Sequence, residues 1–307
     1  MITVLITGGS GMVGQNLVEH EEAACYRILV PTSSELDLTN FIATSAYLKA
    51  NKPDIVIHAA GKVGGIQANI ADPVRFLIDN MDMGRNIVLA ARDAGIPRLI
   101  NLGSSCMFPR DAPNPLTEEA VLTGQLEPTN EGYALAKVVT ARLCEYVSRT
   151  HLGLSYKTLI PCNLFGRHDK FDPAVSHLVP SIIRKVHDAK NAGAGTVEVW
   201  GDGTARREFM YAGDLADLIW KCVSEFDSLP STMNAGVGED HTINDYYHTV
   251  AEVVGWNGKL IHDLSKPTGM EQKLVSIVRQ GEFGWRPQTA LTVGIQLTYD
   301  YFLSTLR

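Results

Sequence analysis

Thr7-Gly8-Gly9-Ser10-Gly11-Met12-Val13-Gly14 follows directly on the apolar run Ile2-Thr3-Val4-Leu5-Ile6. A strand, a glycine turn and a helix starting near Met12 together predict the opening of a dinucleotide-binding α/β fold. Gly8 and Gly11 allow a tight turn and the close approach of a pyrophosphate, whose charge meets the helix N-terminus. Gly14 lets the helix pack tightly on the strand. The residues expected to line the cofactor here are Gly8, Gly9, Ser10, Gly11, Met12, Val13 and Gly14.

Outward from that turn the alternation continues. β-Branched runs at residues 27–31, 54–60, 98–103 and 156–160 read as strands. Between them lie helical stretches at 41–50 and 73–94, the second ended by Gly95 and Pro97, and a later helix holding Tyr133 and Lys137. This rhythm implies an α/β fold with a Rossmann-type, doubly wound parallel sheet. After about Phe165 it breaks into Pro- and Gly-rich segments, a helix at Leu178–Asn191, a strand at 197–200 and a helix N-capped by Thr242. The expected division is a dinucleotide-binding domain over residues 1–165 plus about 208–238. A smaller, discontinuous C-terminal α/β substrate domain would take about 166–207 plus 239–307.

A chain of 307 residues can bury a large core, and 45% apolar with 20% charged residues is ordinary for a globular protein. No apolar run approaches the roughly 18 residues of a membrane span, so no membrane association is expected. The first residues run straight into the glycine turn and read as a core strand, not a leader. The five cysteines are scattered and lack a C-x-x-C pair, and the nine histidines lack ligand spacing. Neither a disulfide framework nor a metal site is expected, and a reducing cytoplasm suits such a chain. A net charge of −7 argues against nucleic acid as a partner but not against a small anionic substrate.

The chemistry is expected at Tyr133-Ala-Leu-Ala-Lys137 and the upstream triplet Ser104, Ser105, Cys106. Tyr133 and Lys137 share one helix face, and an ammonium beside a phenol lowers its pKa from about 10. Such a phenol exchanges a proton with a carbinol or carbonyl. Ser104 falls just past the fourth strand, where its hydroxyl can bond the same substrate oxygen. At the tip of the second strand, Pro31-Thr32-Ser33-Ser34-Glu35-Leu36-Asp37-Leu38 puts no acid at the first positions. Ser33 and Ser34 can therefore bond a 2′-phosphate, with Asp37 and Leu38 along the adenine, which favours NADP(H) over NAD.

Ser, Tyr and Lys in this order behind a glycine turn resemble the short-chain dehydrogenase/reductase superfamily, in its extended, nucleotide-sugar-modifying branch. Four segments narrow this: Ala60-Gly61-Lys62-Val63-Gly64-Gly65-Ile66, Leu102 to Cys106, Leu126 to Glu131, and Val199-Trp200-Gly201-Asp202-Gly203 running to Arg207-Glu208-Phe209. With Pro161-Cys162-Asn163-Leu164-Phe165-Gly166-Arg167-His168-Asp169 they resemble the GDP-L-fucose synthase family over nearly the whole chain. The resemblance implies 3,5-epimerisation of GDP-4-keto-6-deoxy-D-mannose and then NADPH-dependent reduction at C4. It implies Cys106 and His177 as the epimerisation base and acid, and Ser104, Tyr133 and Lys137 as the reductive group. Leu102, Gly103, Ser105, Pro161, Cys162, Asn163, Leu164 and His177 would line the cofactor. Asn163, Lys185, Trp200, Arg207 and Lys273 would hold the GDP-sugar, with Arg184 and Arg206 nearby, and the family forms homodimers. Ser10 and Ser33 replace arginines of some members, Gly132 a proline and Thr268 an aspartate, while Arg167 and Lys170 alter a Gly-Pro-His-Asp-Asn-Phe motif. The competing readings are another nucleotide-sugar epimerase or dehydratase, and a non-catalytic cofactor sensor. Such dehydratases place Thr, Asp and Glu near Ser105 and Cys106, and a sensor would break the intact Tyr–Lys pair.

Overall fold

Val4, Leu5 and Ile6 are wholly buried, as a continuous apolar run must be in the middle of a parallel sheet covered on both faces. The computed structural model describes residues 1–172, 176–266 and 270–306. Its first half runs β1 (Thr3–Thr7), α1 (Met12–Glu19), β2 (Arg27–Leu29), α2 (Phe41–Asn51), β3 (Ile55–His58), α3 (Ile66–Ala71), α4 (Pro73–Asp93), β4 (Arg98–Leu102), α5 (Glu131–Thr150) and β5 (Ser155–Pro161). The second strand stops two residues short of the sequence expectation, because it pairs only with residues 3–5 of β1. Helix α4 starts where Asp72 accepts from the Arg75 N–H and Pro73 fills the first turn.

The second half supplies β6 (Asn163–Phe165), α6 (Leu178–Asn191), β7 (Thr196–Trp200), β8 (Arg206–Arg207), β9 (Phe209–Tyr211), α7 (Ala212–Ser224) and β10 (Thr232–Ala235). After these come β11 (His241–Thr242), α8 (Ile243–Val254), β12 (Lys259–Asp263), β13 (Gln272–Lys273), α9 (Val278–Glu282) and α10 (Leu291–Thr305). Six strands form one parallel sheet in the order β10-β5-β4-β3-β1-β2. The order reverses between β1 and β3, and a ligand crevice opens at the carboxyl ends of strands flanking such a point. Thr7 is level with His58 and Leu102 with Leu159, so the loops carrying Gly8, Ala60 and Ser104 leave the same edge.

Helices α4 and α5 lie close because glycines allow it. A Cβ on Gly84 would stand 2.0 Å from Thr140 Oγ1, and one on Gly132 2.9 Å from the Pro73 carbonyl oxygen. The glycine before Tyr133 therefore seats the start of α5 on the start of α4. A second apolar core gathers Ile182, Ile183 and Val186 of α6 with Tyr246 and Val250 of α8 and Phe302 of α10. Helix α8 opens with a capping box between Thr242 and Asp245.

One carboxylate ties these layers together. Glu208, between β8 and β9, is 0% exposed; its Oε1 accepts from Val237 N at 2.6 Å and Gly238 N at 2.8 Å, and its Oε2 from Val275 N at 2.9 Å. The loop after β10 and the segment after β13 thus meet at one side chain. Burial pushes its pKa up to about 7, against the pull of those three N–H donors. Glu208→Gln is expected to destabilise the protein by about 1–3 kcal/mol, because an amide N–H would face a backbone N–H in a dry site. An unchanged urea midpoint would show that the three bonds are dispensable.

Candidate active site

The β1–α1 turn fits a dinucleotide. Gly8 sits at φ +74°, and a Cβ there would lie 2.7 Å from Ala60 Cα, so the turn is pressed against the end of β3. A Cβ on Gly14 would meet the Gly8 carbonyl oxygen at 2.3 Å, which is the tight helix-on-strand contact expected of it. Gly11 is the N-cap of α1, with no side-chain cap and no acid in the first turn. The first N–H groups of α1 are thus presented to an anion rather than to the protein.

At the β2 tip the two acids are exposed but hydrogen-bonded within their own loop. Glu35 Oε2 accepts from Thr32 N at 2.8 Å and Thr32 Oγ1 at 2.9 Å, which holds its carboxyl below the usual range. Asp37 Oδ1 accepts from Thr39 N and Oγ1 at 2.9 and 2.7 Å. Ser33 and Ser34 remain exposed, with Ser34 Oγ 2.9 Å from Thr32 Oγ1. Leu38 departs from the sequence expectation. Its side chain is buried in the core, and its carbonyl accepts from Asn86 Nδ2 at 2.9 Å, so it anchors the loop instead of presenting a surface to adenine.

Ser104, Cys106, Tyr133 and Lys137 come together beyond β4. Ser104 caps the short 3₁₀ turn Ser105–Met107, its Oγ accepting from Cys106 N at 3.2 Å, which fixes hydroxyl and thiol relative to each other. The Lys137 ammonium donates to the Leu102 carbonyl at 2.8 Å and lies 5.8 Å from the Tyr133 ring centre. The sequence expectation of a depressed phenol pKa is corrected here. Burial, aided by Cys106, raises the Tyr133 pKa above its ordinary value, against the pull of its Ser104 hydrogen bond. Burial also lowers Lys137 to about 8. The phenol is therefore a held proton, suited to donation. Asn130, which the sequence reading missed, places Nδ2 3.2 Å from Cys106 Sγ.

The Gly61–Gly65 loop spans from this group toward His177. A Cβ on Gly61 would lie 3.6 Å from Lys137 Nζ, and one on Gly65 3.0 Å from the Ser176 carbonyl oxygen. Asn80 clamps the loop, accepting from Lys62 N at 2.9 Å and donating to Lys62 O at 3.0 Å. His177 occupies the N-cap position of α6 without capping it. Burial, then Lys170, lowers its imidazole pKa, so it stands neutral at pH 7.

The remaining sites divide between polar surface and core. Lys185 and Lys266 each stand 5.6 Å from the Trp200 ring centre, on a patch where Trp200 is 39% exposed. Arg206 is bound to Asp240 at 2.6 Å and Arg184 to Asp188 at 2.7 Å. Arg207 on β8 is level with Lys273 on β13, and Lys273 Nζ lies 4.0 Å from Cys106 Sγ. Pro161 ends β5. Asn163 Nδ2 donates to the Glu208 carbonyl at 3.0 Å, and Leu164 follows it in β6. The Cys162 side chain is core, and burial followed by Glu208 pushes its thiol well up. Thr268 lies outside the described residues.

A glycine cradle at the switch point and a buried Ser–Tyr–Lys group beside it define a dinucleotide-dependent enzyme of the extended Rossmann type. The chain matches the NAD dependent epimerase/dehydratase family over residues 4–236 and belongs to it, in its GDP-L-fucose synthase branch. It is 50% identical to a GDP-L-colitose synthase of Yersinia pseudotuberculosis, covering 98% of both chains. It is 48% identical to a GDP-L-fucose synthase of Azorhizobium caulinodans, covering 98% of this chain and 96% of that one. Among solved structures it resembles a GDP-L-fucose synthetase of Naegleria fowleri bound to NADP, with a TM-score of 0.89 at 27% identity over 99% of this chain and 93% of that one.

Proposed function

We propose that this chain is a GDP-L-fucose synthase: it epimerises GDP-4-keto-6-deoxy-D-mannose at C3 and C5 and reduces C4 with NADP(H). The observation that carries the reading is Cys106 within the same turn as Ser104 and beside Tyr133, which puts a carbon base next to a carbonyl clamp. Bound NADPH supplies the hydride to C4. Ser104 and Tyr133 hold the C4 oxygen by hydrogen bonds, and the buried phenol gives it the proton. Before that, the same two hydroxyls take up the enolate charge when Cys106 removes the proton at C3 or C5. The neutral imidazole of His177 gains basicity beside that enolate, and as imidazolium it returns a proton to the opposite face. Lys137 lends positive charge near the phenol.

Lys185, Trp200 and Arg207 would take the GDP, with Asn163 at the sugar; residues 1–165 with about 208–238 would hold the dinucleotide, and the rest the sugar nucleotide. Exposed Val74 and Ile78 of α4 with Leu135, Val139 and Tyr146 of α5 offer the face for a homodimer. The five cysteines are free thiols, in keeping with a reducing cytoplasm. No helix among the described residues is long and apolar enough to cross a membrane.

The test is turnover with NADPH and either GDP-4-keto-6-deoxymannose or its 3-deoxy counterpart, the products identified by NMR. GDP-L-fucose from the first substrate supports the reading. Preference for the 3-deoxy sugar would align the chain with its colitose-forming relative, and no turnover of either would overturn both. The cofactor reading makes its own prediction. Ser33→Arg is expected to tighten NADPH about tenfold, since a charge-assisted bond is roughly twice as strong as a neutral one. NADH should be almost unaffected; if it tightens equally, Ser33 does not face the 2′-phosphate.

A further inference from the structure

We propose that Glu208 is a positioning residue for the sugar nucleotide: its carboxylate fixes the spacing of Arg207 and Lys273, the cations that would face the diphosphate, and couples nucleotide affinity to pH. It rests on the reading of those two residues, with Asn163, as part of the GDP-sugar site.

Three of the residues read as binding the sugar nucleotide meet at this one position. Arg207 precedes Glu208 in the chain and is level with Lys273 of β13. Asn163 Nδ2 donates to the Glu208 carbonyl at 3.0 Å, and the Tyr246 hydroxyl donates to the Arg207 carbonyl at 2.8 Å. The backbone beneath both side chains is thus held from β6 and from α8. On the other side, Glu208 Oε2 accepts from Val275 N at 2.9 Å, two residues beyond Lys273. Leu274 N donates to Asn114 Oδ1 at 2.8 Å, and Leu274 and Ser276 are bonded to Leu116. The Lys273 segment therefore lies between the 114–116 stretch and Glu208, and the carboxylate is its tie on the side of Arg207.

The receptacle is shaped for a carboxylate. Val237 and Gly238 present successive N–H groups to Oε1 at 2.6 and 2.8 Å, Gly238 at φ +79°. A Cβ on Gly236 would stand 2.5 Å from that oxygen, so glycine lets the end of β10 come this close. A proton on the carboxyl would set an O–H among N–H donors and break a bond. Burial lifts its pKa to about 7. Asp240, before β11, repels it and is itself paired with Arg206 at 2.6 Å. Cys162, between β5 and β6, and Tyr246 of α8 feel its charge, but burial raises both and keeps them neutral. His241 of β11 lies level with Arg207. The diphosphate's own charge is met by the two cations, whereas that of Glu208 is met by backbone N–H groups. Binding therefore favours the ionised carboxyl, and affinity is full above about pH 7 and falls as pH drops through it.

The test is GDP-mannose binding to the full chain by calorimetry between about pH 6 and pH 8, a range in which its diphosphate diester keeps one charge. Wild-type affinity is expected to fall roughly fivefold from the upper limit to the lower. Glu208→Gln keeps the shape but leaves an amide N–H facing a backbone N–H. At the upper limit it should bind GDP-mannose about tenfold more weakly, with NADPH affinity within about twofold and no slope with pH. His241→Gln should keep the wild-type slope. Should Glu208→Gln fail to fold, the wild-type and His241→Gln profiles still decide. A flat wild-type profile, affinity rising toward acid, or a slope lost in His241→Gln would overturn the proposal. So would wild-type binding by Glu208→Gln, or an equal loss of GDP-mannose and NADPH, which marks general loosening. Arg207→Met separates the two readings. Weaker GDP-mannose binding in that variant keeps the nucleotide site in place, so that failure at Glu208 sinks the proposal alone. Unchanged binding would remove Arg207 from the site, and the proposal with it.

Discussion

Tyr133→Phe should cut NADPH-dependent reduction by roughly 10²–10⁴-fold, the contribution of a positioned acid, while leaving NADPH binding within about twofold. Phenylalanine keeps the ring but removes the one proton aimed at the C4 oxygen. Because burial raises the phenol, wild-type reduction should not be limited by phenol ionisation anywhere near neutral pH. Lys137, lowered to about 8, sets the alkaline limit. The ammonium is charged below that pH and is lost as pH rises through it, so the rate should fall on the alkaline side. Stopped-flow absorbance at the nicotinamide band over a pH series reads both effects. Near-normal NADPH consumption by the variant would sink the assignment of the phenol.

Cys106→Ser should abolish epimerisation more completely than hydride transfer, since a serine hydroxyl is a far weaker base than a thiolate with a reference pKa of about 8.5. The variant is expected to lose deuterium entry at C3 and C5 by roughly 10²-fold or more. It should still reduce the unepimerised ketone slowly, giving a GDP-6-deoxyhexose other than fucose. His177→Asn should also impair epimerisation while sparing the phenol. Mass and NMR analysis of the products separates these outcomes from simple loss of binding.

What the sequence made legible is what local chemistry encodes. The glycine turn needs residues that bring backbone to backbone, and Gly8 and Gly14 meet Ala60 and Gly8 as their spacing required. Helix α4 announces itself by Asp72-Pro73 and ends before Gly95, and α8 by the Thr242 cap. The misses are non-local. The sign of the Tyr133 shift depends on burial under the assembled loops, which no i to i+4 spacing reports. Lys273 comes beside Cys106 through the two-residue pairing of β13 with β8 and the bonds of Leu274 and Ser276 to Leu116, none of which has a periodicity to betray it. A motif position does not say whether side chain or backbone faces the crevice, and Leu38 and Cys162 turn their side chains into the core. Asn130 stood one helical turn before Tyr133, the signal that could have found it.

The three hydrogen bonds on Glu208 also impose an order in time. The glycine cradle, the Ser104 turn and the α5 helix all precede residue 151, and their strands pair among themselves. Lys273 joins them with the segment that Val275, 67 positions beyond Glu208, ties to that carboxylate and that Leu274 and Ser276 tie to Leu116. Contacts of such long sequence separation form late. A growing chain therefore acquires its cofactor seat and phenol first and the cation beside its sulfur last.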